Sequence, residues 1–299
     1  MFGFVYRAAQ VPPVCRFVLH LIVYSSLYLS VAGAAMVYVS CLLQGLPFDP
    51  VAAVILMLVT FAVYNLNRKT DEDEDAINHS ERYAFTKEYG PILFRSAAAA
   101  YIIALCLSAC LGYESLLVTA VPLIGVVYSV PLFPIRLGFR RLKEVPFMKS
   151  LIVAFSWAVP PALLPVCHAA LPAGSAAGIV GVFFFLLVFT NTVVFDVRDV
   201  EGDMASGVKT IPTILGTRRA LLLLTGINVS LGAALVLAGR LFLPGSCTAL
   251  MLAAGIVYAQ AYVLCFQRLR TKKLLFELLA DGQFIVLGGV AYLLTLTVP

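Results

Sequence analysis

The chain has 299 residues, 61% of them hydrophobic and only 12% charged, with a mean hydropathy of +0.96. No soluble domain of this size needs so much apolar side chain. The formal charge of +5 fits attraction to anionic lipid headgroups, and no nucleic-acid partner is implied.

In chain order, nine apolar spans are predicted, at 17–40, 51–66, 92–112, 114–133, 149–168, 176–196, 219–240, 246–266 and 280–298. Runs of about 20 apolar residues suit membrane-crossing helices, and barrel strands are excluded because they alternate apolar with polar positions. The first span is preceded by Arg7 and Arg16. It is longer than the apolar stretch of a signal peptide and is read as an anchor. The expected fold is all-α, a polytopic membrane protein of about nine transmembrane helices around a central cavity, with residues 1–299 forming one domain. The seven cysteines are scattered without a CxxC pair and read as small membrane hydrophobes. His20, His79 and His168 are too far apart in sequence for a metal box and are expected to be structural or peripheral.

Directly after the second span stands Asn67-Arg-Lys-Thr-Asp71-Glu-Asp-Glu-Asp75. At helical pitch Asn67, Asp71 and Asp75 fall at i, i+4 and i+8, so their oxygens stack along one face at intervals of about 6 Å. A second ladder follows the sixth span, with Asp196, Asp199 and Asp203 at i, i+3 and i+7. One acidic run alone reads equally well as a solvated loop. Two runs, each on helical spacing and each after an even-numbered span, imply one shared site. Oxygen ligands without His or Cys suit Mg²⁺, which completes its shell with water and substrate phosphates. The two ladders also form a loose internal repeat, able to bring two half-sites over one cavity.

With the N-terminus cytoplasmic, all of the 21 Lys and Arg residues except Arg240 fall in cytoplasmic segments, and Asp49 and Glu114 are the acidic residues left outside. That asymmetry is a positive-inside signal and puts both ladders on the cytoplasmic face. It also counts against a transporter of anionic phosphate compounds, as does the scarcity of ionisable groups inside the spans.

These motifs resemble those of the UbiA superfamily of intramembrane prenyltransferases. The first family motif, N-x-x-x-D-x-x-x-D, matches Asn67, Asp71 and Asp75, and its continuation matches Asn78 and Arg82. The second resembles the run from Asp196 to Asp203, followed by Gly207-Val-Lys209-Thr210, and is similar to the branch holding chlorophyll, homogentisate and geranylgeranylglyceryl-phosphate prenyltransferases. Tyr128-Ser129, with Arg136, Arg140, Arg141 and Lys143 after it, is similar to the family's third region, a tyrosine followed by basic residues that help hold a diphosphate.

The resemblance implies Mg²⁺-dependent transfer of a prenyl group from an isoprenyl diphosphate to a lipophilic, aromatic or polycyclic acceptor among membrane lipids. It places the metal on Asp71, Asp75, Asp199 and Asp203, with Asn67 and Asp196 beside them. It places the diphosphate on Arg82, Lys209 and one of the loop cations Arg136 and Lys143, next to Tyr128. A terpene cyclase on the same scaffold is the competing enzyme. The expected location is a bacterial inner membrane.

Overall fold

The computed structural model describes residues 13–297, so Arg7 lies outside the described residues. The described elements are helical: α1 (Pro13–Tyr24), α2 (Leu27–Gln44), α3 (Pro50–Thr70), α4 (Glu72–Asn78), α5 (Ser80–Leu111), α6 (Tyr113–Ala120), α7 (Ile124–Val127), α8 (Met148–His168), α9 (Ser175–Arg198), α10 (Val200–Ala205), α11 (Ile211–Leu215), α12 (Thr217–Phe242), α13 (Thr248–Leu269), α14 (Lys273–Asp281) and α15 (Gln283–Thr297). Among the described residues, seven helices (α2, α3, α5, α8, α9, α12 and α13) are long and apolar enough to cross a membrane. The bent pair of α14 and α15 makes an eighth if it is one span. The molecule is an integral, multi-pass membrane protein. Its outer surface carries Leu222, Val229, Val257 and Leu264, each more than 60% exposed, where lipid is the solvent.

Within the described residues the predicted apolar spans are largely helical, but three are interrupted. The first is broken at Ser25–Ser26, where Ser26 takes a left-handed backbone at φ 65° although its side chain is fully buried. The turn is held from α3: Asn65 Nδ2 donates to the Ser25 carbonyl at 3.0 Å and Arg68 Nη2 to Ser26 Oγ at 2.8 Å. The fourth becomes the shorter apolar run Tyr113–Val127. It contains a 3-10 turn at Val121–Leu123, where Pro122 denies a helical hydrogen bond. At about 1.5 Å per residue such a run reaches roughly 22 Å, short of a hydrocarbon core of about 30 Å. The last bends by 46° between α14 and α15.

Buried amides clamp the helices where lipid offers no hydrogen bonds. Thr190 Oγ1 on α9 donates to Asn228 Oδ1 on α12 at 2.7 Å, and Asn228 Nδ2 donates to Gln260 Oε1 on α13 at 3.1 Å.

The C-terminal ends of α3 and α9 lie at the same end of the bundle, so both ladders do too. At the other end, about 30 Å away along a helix the length of α3, Asp49 accepts the Ala52 N–H at 2.9 Å, capping α3. Asp49 also pairs with His168 at the C-terminus of α8, and the His168 ring meets Ser115 Oγ on α6 at 3.0 Å. His168 is thus a structural clamp, as expected. Single cysteines placed in 67–90 and in 197–217, in a cysteine-free background, are expected to react with an impermeant maleimide from one and the same membrane side. Labelling from opposite sides would separate the ladders.

Candidate active site

Both ladders are built the same way. After α3 the helix is interrupted at Asp71 (φ −110°, ψ 16°), and after α9 it is interrupted at Asp199 (φ −99°, ψ 15°). The i, i+4 hydrogen bonds nonetheless run through both breaks. Asp71 N–H donates to the Asn67 carbonyl at 3.0 Å and Asp75 N–H to the Asp71 carbonyl at 2.9 Å. Asp199 N–H donates to the Phe195 carbonyl at 2.9 Å and Asp203 N–H to the Asp199 carbonyl at 3.1 Å. Asp71 and Asp75 therefore correspond to Asp199 and Asp203, and the repeat seen in the sequence is a repeat of backbone geometry. Asp196 stands outside that correspondence. The short helices α4 and α10 meet through Asn78, whose Nδ2 donates to the Asp199 carbonyl at 3.3 Å and whose Oδ1 accepts the Gly202 N–H at 3.2 Å.

The two ladders open on one cavity of about 250 Å³, lined by Asn67, Asp71, Asp75, Arg82, Tyr128, Asp196, Asp199 and Asp203. Its deeper wall is apolar and aromatic, with Leu56, Val59, Val63, Tyr64, Trp157 and Phe195. The Tyr64 and Trp157 rings pack edge to face at 5.4 Å.

Each ladder carboxylate is held by a cation. Lys143, 1% exposed, places Nζ 2.7 Å from Asp71 Oδ1 and 2.7 Å from Glu74 Oε2. Arg82 grips Asp75 with two nitrogens, Nε at 3.2 Å from Oδ2. Lys149 Nζ bridges Asp196 at 2.9 Å and Asp203 at 2.7 Å, while Ser150 Oγ donates to the other Asp196 oxygen at 2.7 Å. Arg198 forks onto Asp199 at 2.7 and 2.8 Å, reaches Glu277 at 3.2 Å, and lies over the Phe195 ring at 4.5 Å.

These pairs set the protonation states. Burial works against the Asp199 carboxylate, but the Arg198 guanidinium overcomes it and holds Asp199 well below the usual carboxylate range. Burial pushes Asp203 up to about 7 against the pull of Lys149, with the Asp196 carboxylate adding to the rise. His79 is 6% exposed, and burial together with Arg82 lowers its pKa. The ring is therefore neutral, and its Nε2 accepts from Arg198 Nη2 at 2.8 Å.

A divalent cation fits this donor set. Asn67 Nδ2 donates to the Gly125 carbonyl at 2.7 Å, leaving Asn67 Oδ1 buried without a partner, and Asp203 Oδ2 is likewise unpartnered. One hard oxygen on each ladder thus stands open. Among the described residues no three His, Cys, Asp or Glu side chains converge tightly enough to enclose a metal by themselves. A bound Mg²⁺ would accordingly take its remaining ligands from water and phosphate, as that ion ordinarily does.

Three residues stand elsewhere in the structure than their sequence context suggests. Lys209 is exposed and outside the cavity lining: Val208 and Thr210 on either side are buried, which turns the residue between them outward. Arg136 is also exposed and outside the lining, on the 3-10 turn Ile135–Leu137 beside the exposed Leu132 and Leu137. His79, expected to be structural or peripheral, lines the cavity 3.2 Å from Asp199. Lys149, Arg198, Glu277, Asp281 and Asn191 line the cavity and were not singled out from the sequence. Spacing gave no signal for them, because Lys149 meets Asp203 across 54 residues, Arg198 meets Glu277 across 79 and Asn191 meets Asp281 across 90.

A model described as the UbiA prenyltransferase family matches residues 30–287. The chain belongs to that family. Its likeness to solved structures shows the same fold. The apo UbiA homolog from Aeropyrum pernix K1 superposes with a TM-score of 0.68 at 18% identity, covering 89% of this chain and 98% of that one. A UbiA homolog from Archaeoglobus fulgidus bound to DMAPP and Mg²⁺ superposes with a TM-score of 0.61 at 18% identity, covering 91% and 96%. By sequence, the chain is 31% identical over 123 residues to a digeranylgeranylglyceryl phosphate synthase of Pyrococcus abyssi (strain GE5 / Orsay). That match takes in 40% of this chain and only 39% of the relative's length. A synthase of the same name from Methanothrix thermoacetophila is 28% identical over 196 residues, 64% of this chain and 69% of the relative. These relatives are archaeal, which gives the expected bacterial inner membrane no support.

Proposed function

We propose that the protein is a Mg²⁺-dependent prenyltransferase that moves a prenyl group from an isoprenyl diphosphate to a lipophilic acceptor, with the ladder end of the bundle at the cytoplasmic face. The observation that carries this reading is the single cavity onto which both aspartate ladders open, polar and cation-rich at its mouth and aromatic below. When bound, Mg²⁺ would supply positive charge to the departing diphosphate, held by Asp71 and Asp75 on one side and Asp199 and Asp203 on the other.

The ion pairs have a part in this. A buried charge without a partner costs several kcal/mol, so an acidic mouth with no ligand needs internal cations. Lys143, Lys149, Arg82 and Arg198 fill that need. Asp71, Asp75, Asp199 and Asp203 would hold the metal, and Lys143, Lys149, Arg82 and Arg198, relieved of those carboxylates, would be available to phosphate oxygens, so no buried charge would be stranded. Below the mouth, Leu56, Val59 and Val63 exclude water from an allylic cation, and the faces of Tyr64 and Trp157 are attractive to positive charge.

For the acceptor, the identity of the relatives as digeranylgeranylglyceryl phosphate synthases favours a glyceryl phosphate compound over the aromatic or polycyclic one expected from sequence. A product with two geranylgeranyl groups on glyceryl phosphate implies an acceptor that already carries one and still has a free hydroxyl. The test is the full chain in lipid nanodiscs with geranylgeranyl diphosphate, Mg²⁺ and geranylgeranylglyceryl phosphate, assayed for diphosphate release and for a product heavier by one prenyl group. Chelation of Mg²⁺ is expected to stop both. Diphosphate release that is indifferent to the chelator would overturn the metal's role.

A further inference from the structure

The mechanism above leaves one cavity carboxylate without a task. Asp281 is the last residue of α14 and sits within the bent apolar helix pair α14–α15, at membrane depth, where an ionisable group marks function by default. Every ladder aspartate is held by a cation. Among the described residues, Asp281 has one polar partner, Asn191 Nδ2 on α9, at 3.4 Å. Its neighbour one turn earlier, Glu277, is committed to Arg198 at 3.2 Å and so belongs to the mouth. Helical rise puts Asp281 about 6 Å further in than Glu277. That is the depth of the reacting carbon if the diphosphate occupies the mouth.

The backbone is shaped around this position. The 46° bend between α14 and α15 falls at the next residue, Gly282, where a Cβ would meet Tyr28 Oη at 2.2 Å and the Leu278 carbonyl oxygen at 2.3 Å. Tyr28 Oη donates to that carbonyl at 2.8 Å and fixes the bend. A second polar group without a partner lines the same cavity: Ser156 on α8 is 3% exposed, and its Oγ makes no hydrogen bond. The deep part of the cavity thus offers, to something other than a diphosphate, a hydroxyl, an amide and a carboxylate that has no ion-pair partner among the described residues.

We propose that Asp281 is the residue that takes the proton from an alcohol acceptor during prenyl transfer, an inference that rests on the prenyltransferase reading. The allylic C1–O bond breaks with its electron pair leaving on the diphosphate. A lone pair of the acceptor hydroxyl oxygen forms the new C–O bond to C1, and the hydroxyl proton passes to the Asp281 carboxylate. Asn191 Nδ2 orients that carboxylate. Water meeting the same allylic carbon needs no such help to consume it, so loss of Asp281 shifts the outcome from transfer towards hydrolysis.

The experiment measures two rates on the full chain in nanodiscs: Mg²⁺-dependent diphosphate release from geranylgeranyl diphosphate alone, and ether formation with geranylgeranylglyceryl phosphate added. Asp281→Asn is expected to cut ether formation by about 100-fold or more and to keep diphosphate release within about threefold of wild type. Asp281→Glu, which retains a carboxylate, is expected to recover at least about tenfold of the loss. If Asp281→Asn does not accumulate, Asn191→Ala reads the same quotient and is expected to lower ether formed per diphosphate released. Ether formation within about threefold of wild type in Asp281→Asn overturns the proposal. So does a parallel fall of both rates in Asp281→Asn and Asp281→Glu, which assigns the residue to the donor or to the fold. Wild-type diphosphate release without any ether overturns the alcohol acceptor and the proton transfer with it. A wild type that releases no diphosphate even with geranylgeranylglyceryl phosphate present overturns the prenyltransferase reading itself.

Discussion

Asp71→Asn is expected to lower Mg²⁺-dependent diphosphate release by about 10²- to 10³-fold, the usual loss when one electrostatic contact to a transition state is removed, while the protein remains as stable as wild type. The side chain is 25% exposed and lies at a helix interruption, so the amide fits in its place. Lys143, its partner, keeps the second carboxylate, Glu74, at 2.7 Å, and no buried cation is stranded. The equivalent change at Asp199 is not so clean. Arg198 is 7% exposed, and Asp199→Asn removes the carboxylate that binds two of its nitrogens, leaving Glu277 at 3.2 Å as its remaining carboxylate among the described residues. Breaking such a pair costs about 3–5 kcal/mol, so Asp199→Asn is expected to lose activity and stability together. Diphosphate release titrated with Mg²⁺, beside thermal unfolding in detergent, separates the two effects. A wild-type Mg²⁺ titration in Asp71→Asn would remove the first ladder from the metal site.

The sequence made the ladders legible because they stand out chemically. In a chain this apolar, oxygen side chains repeated at helical spacing after two spans have few other uses, and the local period survives folding even where the helix is interrupted at Asp71 and Asp199. The cations that complete the site were not legible in the same way. Lys149 meets Asp196 and Asp203 only because the start of α8 packs beside the end of α9. Arg198 adjoins Asp199 in sequence, but the buried niche formed with His79, Phe195 and Glu277 is a product of three separate segments. A basic residue near a membrane surface satisfies the positive-inside rule whether or not it serves the site, so Arg136 and Lys209 looked as good as Lys143. The break in the first span was hidden for another reason. Ser25 and Ser26 carry no glycine or proline signal, and the left-handed turn is imposed by Asn65 and Arg68 from a different helix.

Gly202→Ala is expected to reduce activity by about 10²-fold or more through a contact that involves no metal ligand. The added Cβ would lie 2.2 Å from Asn78 Nδ2, 2.7 Å from its Cγ and 2.8 Å from its Oδ1, and α10 has no room to accept it. Asn78 is the bridge between the short helices of the two ladders, bonded to the Asp199 carbonyl at 3.3 Å and to the Gly202 N–H at 3.2 Å. Displacing it moves α10 from α4, and with α10 go Asp199 and Asp203, whose distance from Asp71 and Asp75 determines whether both ladders serve one diphosphate. Positioning errors of about 1 Å at a reacting centre cost on the order of 10²-fold. Asn78→Ala removes the bridge without the collision and is expected to be milder, about tenfold. The double variant relieves the clash that makes Gly202→Ala severe, so it is expected to match Asn78→Ala and to fall well short of the sum of the two losses. Turnover of all three variants, with wild type, completes the cycle. Additive losses would mean that the separation of the ladders is set elsewhere than at this contact.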